Sequence, residues 1–171
     1  MAVRVYGVQT ISKKLLAIKD ALRDKELLER IGRTAVAHIQ VRTREGLDKD
    51  GKAFKPLAPI SIGKRASLEK YNKTSAYYDA AKSNLHFTGQ LLRALKFMTN
   101  STSVFIEVTG IRKAYKTGPK QKAKEGPDNK DLVKWLREQG REFMGADDSM
   151  RKKVREVVVR HVTRVIRRMK R

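Results

Sequence analysis

Apolar side chains recur at helical spacing near both ends of this chain, and that pattern limits the fold more than any other feature. Between residues 25 and 44 they follow one another at intervals of three or four, which predicts an amphipathic helix. Asp24 is a suitable N-cap for this helix, and Gly46 is a suitable terminator. A shorter stripe in residues 12–22 predicts another helix before it. We therefore expect the N-terminal part of the chain to be a pair of helices.

Residues 147–171 predict a long C-terminal helix with Asp147 or Asp148 as its N-cap. Valine and isoleucine recur along one side of it, and most other positions are lysine or arginine. An acidic start and a basic end both suit the helix dipole. A shorter amphipathic helix is expected to extend through Gln139, with Asn129 or Asp131 as its N-cap. Trp135 lies on its apolar side, so we expect this side chain either in the core or, alternatively, in the pocket of a partner.

Two short runs of alternating apolar and polar residues, 92–98 and 103–109, predict a β-hairpin in the middle of the chain. The Asn-Ser-Thr sequence at residues 100–102 has the composition of a turn. Helices at both ends and a hairpin between them indicate an α+β fold. We expect helices packed on a small antiparallel sheet, with long extended loops and a long C-terminal helix, in one domain over residues 1–171.

Two polar stretches, residues 51–85 and 111–128, follow neither a helical nor a strand period. Glycine and proline predict an irregular connection in the first stretch, at Gly51, Pro56, Pro59 and Gly63. Loops of this length are usually functional or mobile. We expect the first stretch to be an arm that orders on a neighbouring subunit, because its apolar residues are too few for a core of their own. The residues expected at that subunit interface are Phe54, Leu57, Ile60, Tyr77 and Tyr78, together with Trp135.

The charge of the chain points to a polyanionic partner. There are 40 lysine and arginine residues against 18 aspartate and glutamate residues, a formal net charge of +22. Such an excess repels itself in an isolated compact monomer. Nucleic acid is the usual partner that relieves it, so we expect at least transient contact with nucleic acid. The alternative is that the basic faces are simply solvated.

None of the common catalytic or metal-binding patterns is evident. The chain has no cysteine, which excludes disulfides and thiolate metal sites. His38, His86 and His161 are far apart in the sequence and lack carboxylate companions at ligand spacing, so we expect them to have packing roles. Gly63-Lys64 lacks the preceding glycine and the following hydroxyl residue of a phosphate-binding loop. We therefore expect no enzyme activity, no catalytic residue, no metal and no cofactor.

Four short segments together resemble the phage virion morphogenesis proteins, also called tail completion proteins, of the head–tail connector type. They are Val3-Arg4-Val5-Tyr6-Gly7, Gly51-Lys52-Ala53-Phe54-Lys55-Pro56-Leu57, Leu85-His86-Phe87-Thr88-Gly89-Gln90-Leu91-Leu92, and Arg141-Glu142-Phe143-Met144-Gly145. Their order and spacing over most of the chain carry the resemblance. The residues that match the family pattern in the last three segments are Gly51, Phe54, Pro56, Leu57, Thr88, Gly89, Leu91, Leu92, Arg141, Phe143 and Gly145.

The resemblance implies a structural protein of a tailed bacteriophage virion, assembled in the host cytoplasm. It implies a homo-oligomeric ring, commonly of six copies, at the head–tail junction or at the head-proximal end of the tail. Such a ring completes the tail, enables head–tail joining and contacts other neck, connector and tail proteins. No membrane partner is expected, because the chain shows no signal peptide and no run of roughly 20 apolar residues.

The family ring has DNA passing through its middle, and two basic regions of this chain compete for that channel. We expect the loop at residues 111–128 to face it, because this loop follows the hairpin and phosphates require only point charges. The alternative is the basic helix at residues 147–171. The loop residues expected near the DNA are Lys113, Lys116, Lys120, Lys122 and Lys124.

Two other classes of protein compete with the virion ring. A basic nucleic-acid-binding protein, such as a ribosomal protein, would share the size, the charge and the lack of cysteine, but the chain shows no RNA-binding signature. A phage nuclease would need a clustered carboxylate or histidine site, and the sequence shows none.

Overall fold

A computed structural model of the chain describes residues 8–70, 79, 89–111 and 128–169. Within these ranges, helices dominate and one antiparallel hairpin supplies the sheet, which confirms the predicted α+β fold. The elements are α1 (Val8–Leu22), α2 (Lys25–Arg44), α3 (Pro59–Glu69), α4 (Gln90–Arg93), β1 (Leu95–Thr99), β2 (Val104–Val108), α5 (Asn129–Glu138) and α6 (Asp148–Arg168).

Three aspartates fix where α2, α5 and α6 begin. The Asp24 side chain accepts a hydrogen bond from the Glu26 backbone N–H at 2.9 Å, so α2 begins where the sequence predicts. The N-cap of α5 is Asp128, so the predicted caps Asn129 and Asp131 are wrong, the nearer of them by one residue. Of the two predicted caps of α6, Asp147 has this role, since its Oδ1 accepts from the Met150 N–H at 2.7 Å. Each cap satisfies a backbone donor that the helix itself leaves free.

The hairpin pairs Leu95 with Val108 and Phe97 with Ile106. Strand β1 begins three residues later than the sequence pattern predicts, because α4 precedes it. Gly89 is the N-cap of α4 and has a left-handed φ of 70°. The Asn100 side chain accepts hydrogen bonds from backbone N–H groups on the far side of the turn, at 2.9 and 2.7 Å. The predicted hairpin and turn are therefore confirmed, with a shifted start.

Helix α3 corrects the expectation that residues 51–85 are irregular throughout. Pro59 is its first residue, where a missing N–H is no loss and the fixed φ suits a helix. The Ala58 carbonyl accepts from the Ser61 and Ile62 N–H groups at 2.8 and 3.1 Å. The proline that suggests a loop in the sequence is therefore a helix start.

The core lies where α2, the hairpin, α5 and α6 meet, and α2 packs against both the hairpin and α6. Gly32 of α2 lies against the hairpin, because a Cβ atom at this position would clash with the ring of Phe97. The glycine lets the strand's aromatic ring lie directly on the helix. The buried core residues are Ala35, Ile39, Phe54, Leu91, Leu92, Leu95, Val108, Leu136, Phe143 and Met150. Among the described residues, no helix is both long and apolar enough to cross a membrane.

Candidate functional site

Residues of three of the four family-like segments pack together in the core. Phe54 comes from the second segment, Leu91 and Leu92 from the third, and Phe143 from the fourth; all four side chains belong to one buried cluster. Phe143 and Leu92 are each only 1% exposed. The segments are far apart in the sequence but adjacent in space. These family-like residues therefore hold the fold together rather than form an exposed surface.

Hydrogen bonds to backbone carbonyls also join the fourth segment to the second segment and to the residues just before it. The Lys49 N–H donates to the Glu142 carbonyl at 2.7 Å, and the Arg141 guanidinium donates to the Lys55 carbonyl at 3.3 Å. Gly51 has a φ of 77°, and a Cβ atom there would lie 4.0 Å from an oxygen of Asp147. The base of the predicted arm is therefore fastened to the turn that leads into α6.

A buried arginine of α2 organises this junction. The Arg42 side chain is 2% exposed, and its Nη2 donates to the carbonyls of Phe143 at 2.7 Å and Gly145 at 3.1 Å. Its Nη1 donates to the Lys49 carbonyl at 3.2 Å and lies 3.0 Å from Oδ2 of Asp147. The planar guanidinium thus binds three loop carbonyls and one carboxylate at once, which a lysine could not do.

Asp147 is the carboxylate of this junction and also the N-cap of α6. Burial alone would raise the pKa of Asp147. Hydrogen bonds from His38, from the Met150 N–H and from Arg42 outweigh burial and lower the pKa from 3.8 to about 2. The side chain is therefore ionised at neutral pH, and its negative charge also lies at the positive end of the helix dipole.

His38 and Lys153 complete what we call the Arg42–Asp147 cluster, which consists of Arg42, His38, Asp147 and Lys153. His38 Nε2 lies 2.9 Å from Asp147 Oδ1, and its Nδ1 lies 3.2 Å from Lys153 Nζ. Because a carboxylate only accepts and an ammonium only donates, Nε2 carries the hydrogen and Nδ1 accepts. The His38 and Asp147 side chains are 8% and 11% exposed, so their contacts with each other are largely shielded from solvent. The cluster is a structural clamp.

Sequence reasoning did not find this cluster, because its members lie on separate elements. The sequence shows no carboxylate at ligand spacing from the three histidines, but in the structure two of them face a carboxylate from a distant part of the chain. His38 faces Asp147, and His161 Nε2 lies 3.1 Å from Oδ2 of Asp24 without hydrogen-bond geometry. Both histidines are buried on apolar helix faces as expected. No group of three potential metal ligands occurs among the described residues.

Among the residues predicted for a subunit interface, the structure places one in the core and others at the surface. Phe54 is 5% exposed and packs in the core of its own subunit, which leaves none of its ring for a neighbour. Leu57 is half-buried, and Ile60 on α3 is 68% exposed. Trp135 is 51% exposed, so the expectation that it belongs to the core is wrong.

Several predicted residues lie outside the described residues. They are the interface residues Tyr77 and Tyr78, Thr88 of the family pattern, and the channel residues Lys113, Lys116, Lys120, Lys122 and Lys124.

Comparison of the chain with known protein families, with curated proteins and with solved structures finds no match.

Proposed function

We propose that this protein is a structural subunit of a tailed bacteriophage virion, which assembles with copies of itself into a ring at the head–tail junction. The ring would complete the tail and allow it to join the head. Four family-like segments in the sequence support the proposal. The observation that carries it is a helix that has no extensive contact with any other described helix or strand.

That helix is α3, which lies within the predicted arm. It makes no extensive contact with any other described helix or strand, and its Ile60 is 68% exposed. Its base is anchored, because the Arg141 guanidinium donates to the Lys55 carbonyl at 3.3 Å. An anchored helix that makes no extensive contact with the other described elements is suited to contact a neighbouring copy. The contact would cover exposed apolar side chains such as Ile60.

A second unpartnered surface is the outer face of the hairpin. Met98 and Phe105 are directly opposite each other in the register, and each is 53% exposed. Lys96 of β1 and Glu107 of β2 are also opposite each other on this face, so the face carries one positive and one negative charge. An arm and a distinct receiving face are the requirements for head-to-tail contacts, which close into a ring when the rotation permits.

The experiment is to locate the protein in assembled particles. Imaging of the head–tail junction should show a closed ring of this subunit, and native mass measurement of the purified ring should give a fixed multiple of the subunit. Loss of the gene should leave filled heads and tails unjoined. A protein that is strictly monomeric within the particle, or absent from it, would rule the proposal out.

The exposed side of α6 favours a second candidate function, nucleic-acid binding. The helix carries eight basic residues against Asp148 and Glu156. In the described part of the chain, Arg164 and Arg167 are exposed and have no ion-pair partner. A cationic helix face of this kind suits contact with phosphates and needs no base-reading geometry. The two functions are compatible if the ring surrounds DNA.

A further inference from the structure

Helix α1 presents its largest apolar side chains to solvent and a small one to the body of the protein. Among residues 11–22, whose side chains are described, only Ala21 is buried. Ile11, Leu15 and Leu22 are 59%, 62% and 44% exposed. A helix that served only its own fold would place leucine inward and alanine outward. The outward leucines therefore indicate a surface that another molecule covers.

These side chains form one continuous stripe, which we call the α1 stripe: Ile11, Leu15, Ile18 and Leu22. Their spacing of four, three and four residues is the spacing that faces a second helix in a coiled coil. Beside the stripe runs a groove of about 430 Å³, lined by Leu15, Ile18, Lys19, Leu22, Arg23 and Thr102. Thr102, in the turn of the hairpin, thus contributes to the groove along α1.

The charges beside the α1 stripe are all positive. Lys14 and Lys19 occupy the positions that flank a coiled-coil stripe, and Arg23 also lines the groove. Asp20 follows Lys19 and therefore lies about 100° further round the helix, away from the stripe. A second copy of α1 would place lysine against lysine in a parallel or an antiparallel pair. The stripe therefore disfavours a second copy, unlike the charge-balanced outer face of the hairpin.

We propose that the α1 stripe binds an amphipathic helix of a different, acidic protein. The partner helix has apolar residues at the same four-three-four spacing and aspartate or glutamate at the flanking positions. Its acidic side chains pair with Lys19 and Arg23, and its apolar side chains cover Leu15 and Leu22. The proposal goes beyond assembly of the ring, since it concerns another protein and another surface.

The test uses the full-length protein and two synthetic helical peptides as probes. Both carry leucine at the spacing of the stripe, one with glutamate at the flanking positions and the other with lysine. Fluorescence anisotropy should show the glutamate peptide binding at least tenfold more tightly, with a smaller difference at high salt. Equal affinity of the two peptides, or no binding of either, would overturn the proposal.

Variants show whether the stripe itself is the binding surface. Leu15→Ser should weaken the glutamate peptide at least tenfold, while Leu16→Ser should not, because Leu16 is 57% exposed but lies outside the stripe. Lys19→Glu should reverse the preference toward the lysine peptide. An equal effect of both serine variants would overturn the proposal. So would sedimentation showing that Leu15→Ser abolishes self-association of the free protein, because a second copy would then be the occupant.

Discussion

His38 donates from Nε2 to both carboxylate oxygens of Asp147, at 2.9 and 3.0 Å, across 109 residues of sequence. The contact joins the middle of α2 to the first turn of α6. Arg42, one helical turn after His38, reaches the same carboxylate at 3.0 Å. Two side chains of one helix therefore hold the N-cap of another, and the turn before α6 is fixed between them.

The first prediction is that Asp147→Ala destabilises the fold strongly. The change removes the helix cap and leaves the buried guanidinium of Arg42 without its carboxylate. We expect the free energy of unfolding to fall by about 3–5 kcal/mol. Asp148→Ala is the matched control, because the Asp148 side chain is 98% exposed and should cost less than about 0.5 kcal/mol. Urea unfolding followed by circular dichroism measures both. Similar losses in the two variants would show that the Arg42–Asp147 cluster is not a clamp.

The second prediction concerns pH. The pKa of Asp147 is about 2 in the folded protein, below its ordinary value of 3.8, so the unfolded chain binds more protons between these values. The stabilisation from its charge is therefore fully present above the ordinary pKa and is lost as the pH falls through about 2. Asp147→Asn keeps a capping residue but has no such charge. The difference in unfolding free energy between wild type and Asp147→Asn should shrink as the pH falls, and a difference independent of pH would contradict this assignment.

The third prediction contrasts two glycines in helices. Gly32→Ala should destabilise by about 1–3 kcal/mol despite the better helix propensity of alanine, because the new methyl group meets the Phe97 ring. Gly63→Ala in α3 has nothing within 4 Å, so it should increase helix content without lowering stability. Adding Phe97→Leu should recover part of the loss from Gly32→Ala. Thermal unfolding and a double-mutant cycle measure this coupling, and purely additive effects would argue against the contact.

The elements that the sequence predicts well are those with a capping residue, a periodic apolar pattern or a turn sequence within a short stretch of chain. Asp24 as a cap and a regular apolar stripe defined α2 to the residue, and alternation defined the hairpin. The sequence does not predict helix α3, because proline and glycine usually break helices, whereas Pro59 occupies the first position of a helix, where proline fits. Trp135 was expected on the apolar side of α5, but Leu136 is the buried residue there.

The Arg42–Asp147 cluster could not be predicted from the sequence. Arg42 belongs to a helix end rich in basic residues, where an arginine is usually solvated. Only the return of residues 141–147 to that end buries it and supplies its carbonyl and carboxylate partners. Pairing over such a distance leaves no periodic or spacing signal in a single sequence. One indirect clue was Gly145, whose backbone conformation lets the chain turn beside Lys49 into α6.

The fourth prediction tests the outer face of the hairpin as a contact between copies. Phe105→Ser should hardly affect monomer stability, because the ring is already half-exposed, but it should shift assemblies toward smaller species. Val159→Ser on α6 is the control, since Val159 is 56% exposed and lies on a different element. Native mass measurement gives the distribution of species. Unchanged assembly of Phe105→Ser would exclude this face from the ring contact.

The fifth prediction decides which basic region contacts DNA. Binding to a labelled duplex should weaken as salt rises, with a slope of about 0.9 per phosphate contacted on logarithmic axes. If α6 faces the DNA, Arg164→Gln with Arg167→Gln should reduce that slope by about 1.8. Arg30→Gln with Arg33→Gln is the control, because those side chains already pair with Glu26 and Glu29 on α2, and the slope should hardly change.

The same measurement compares α6 with the lysines of the 111–128 loop, for which the sequence predicts proximity to the channel. Lys116→Gln with Lys120→Gln removes the same number of charges, so the net charge of the protein falls equally in the loop and α6 variants. A slope that falls only for the loop variant would favour the loop, and a slope that falls only for the α6 variant would favour the helix. Equal reductions in all three double variants, the α2 control included, would mean that overall charge alone attracts DNA and that neither region is a specific contact.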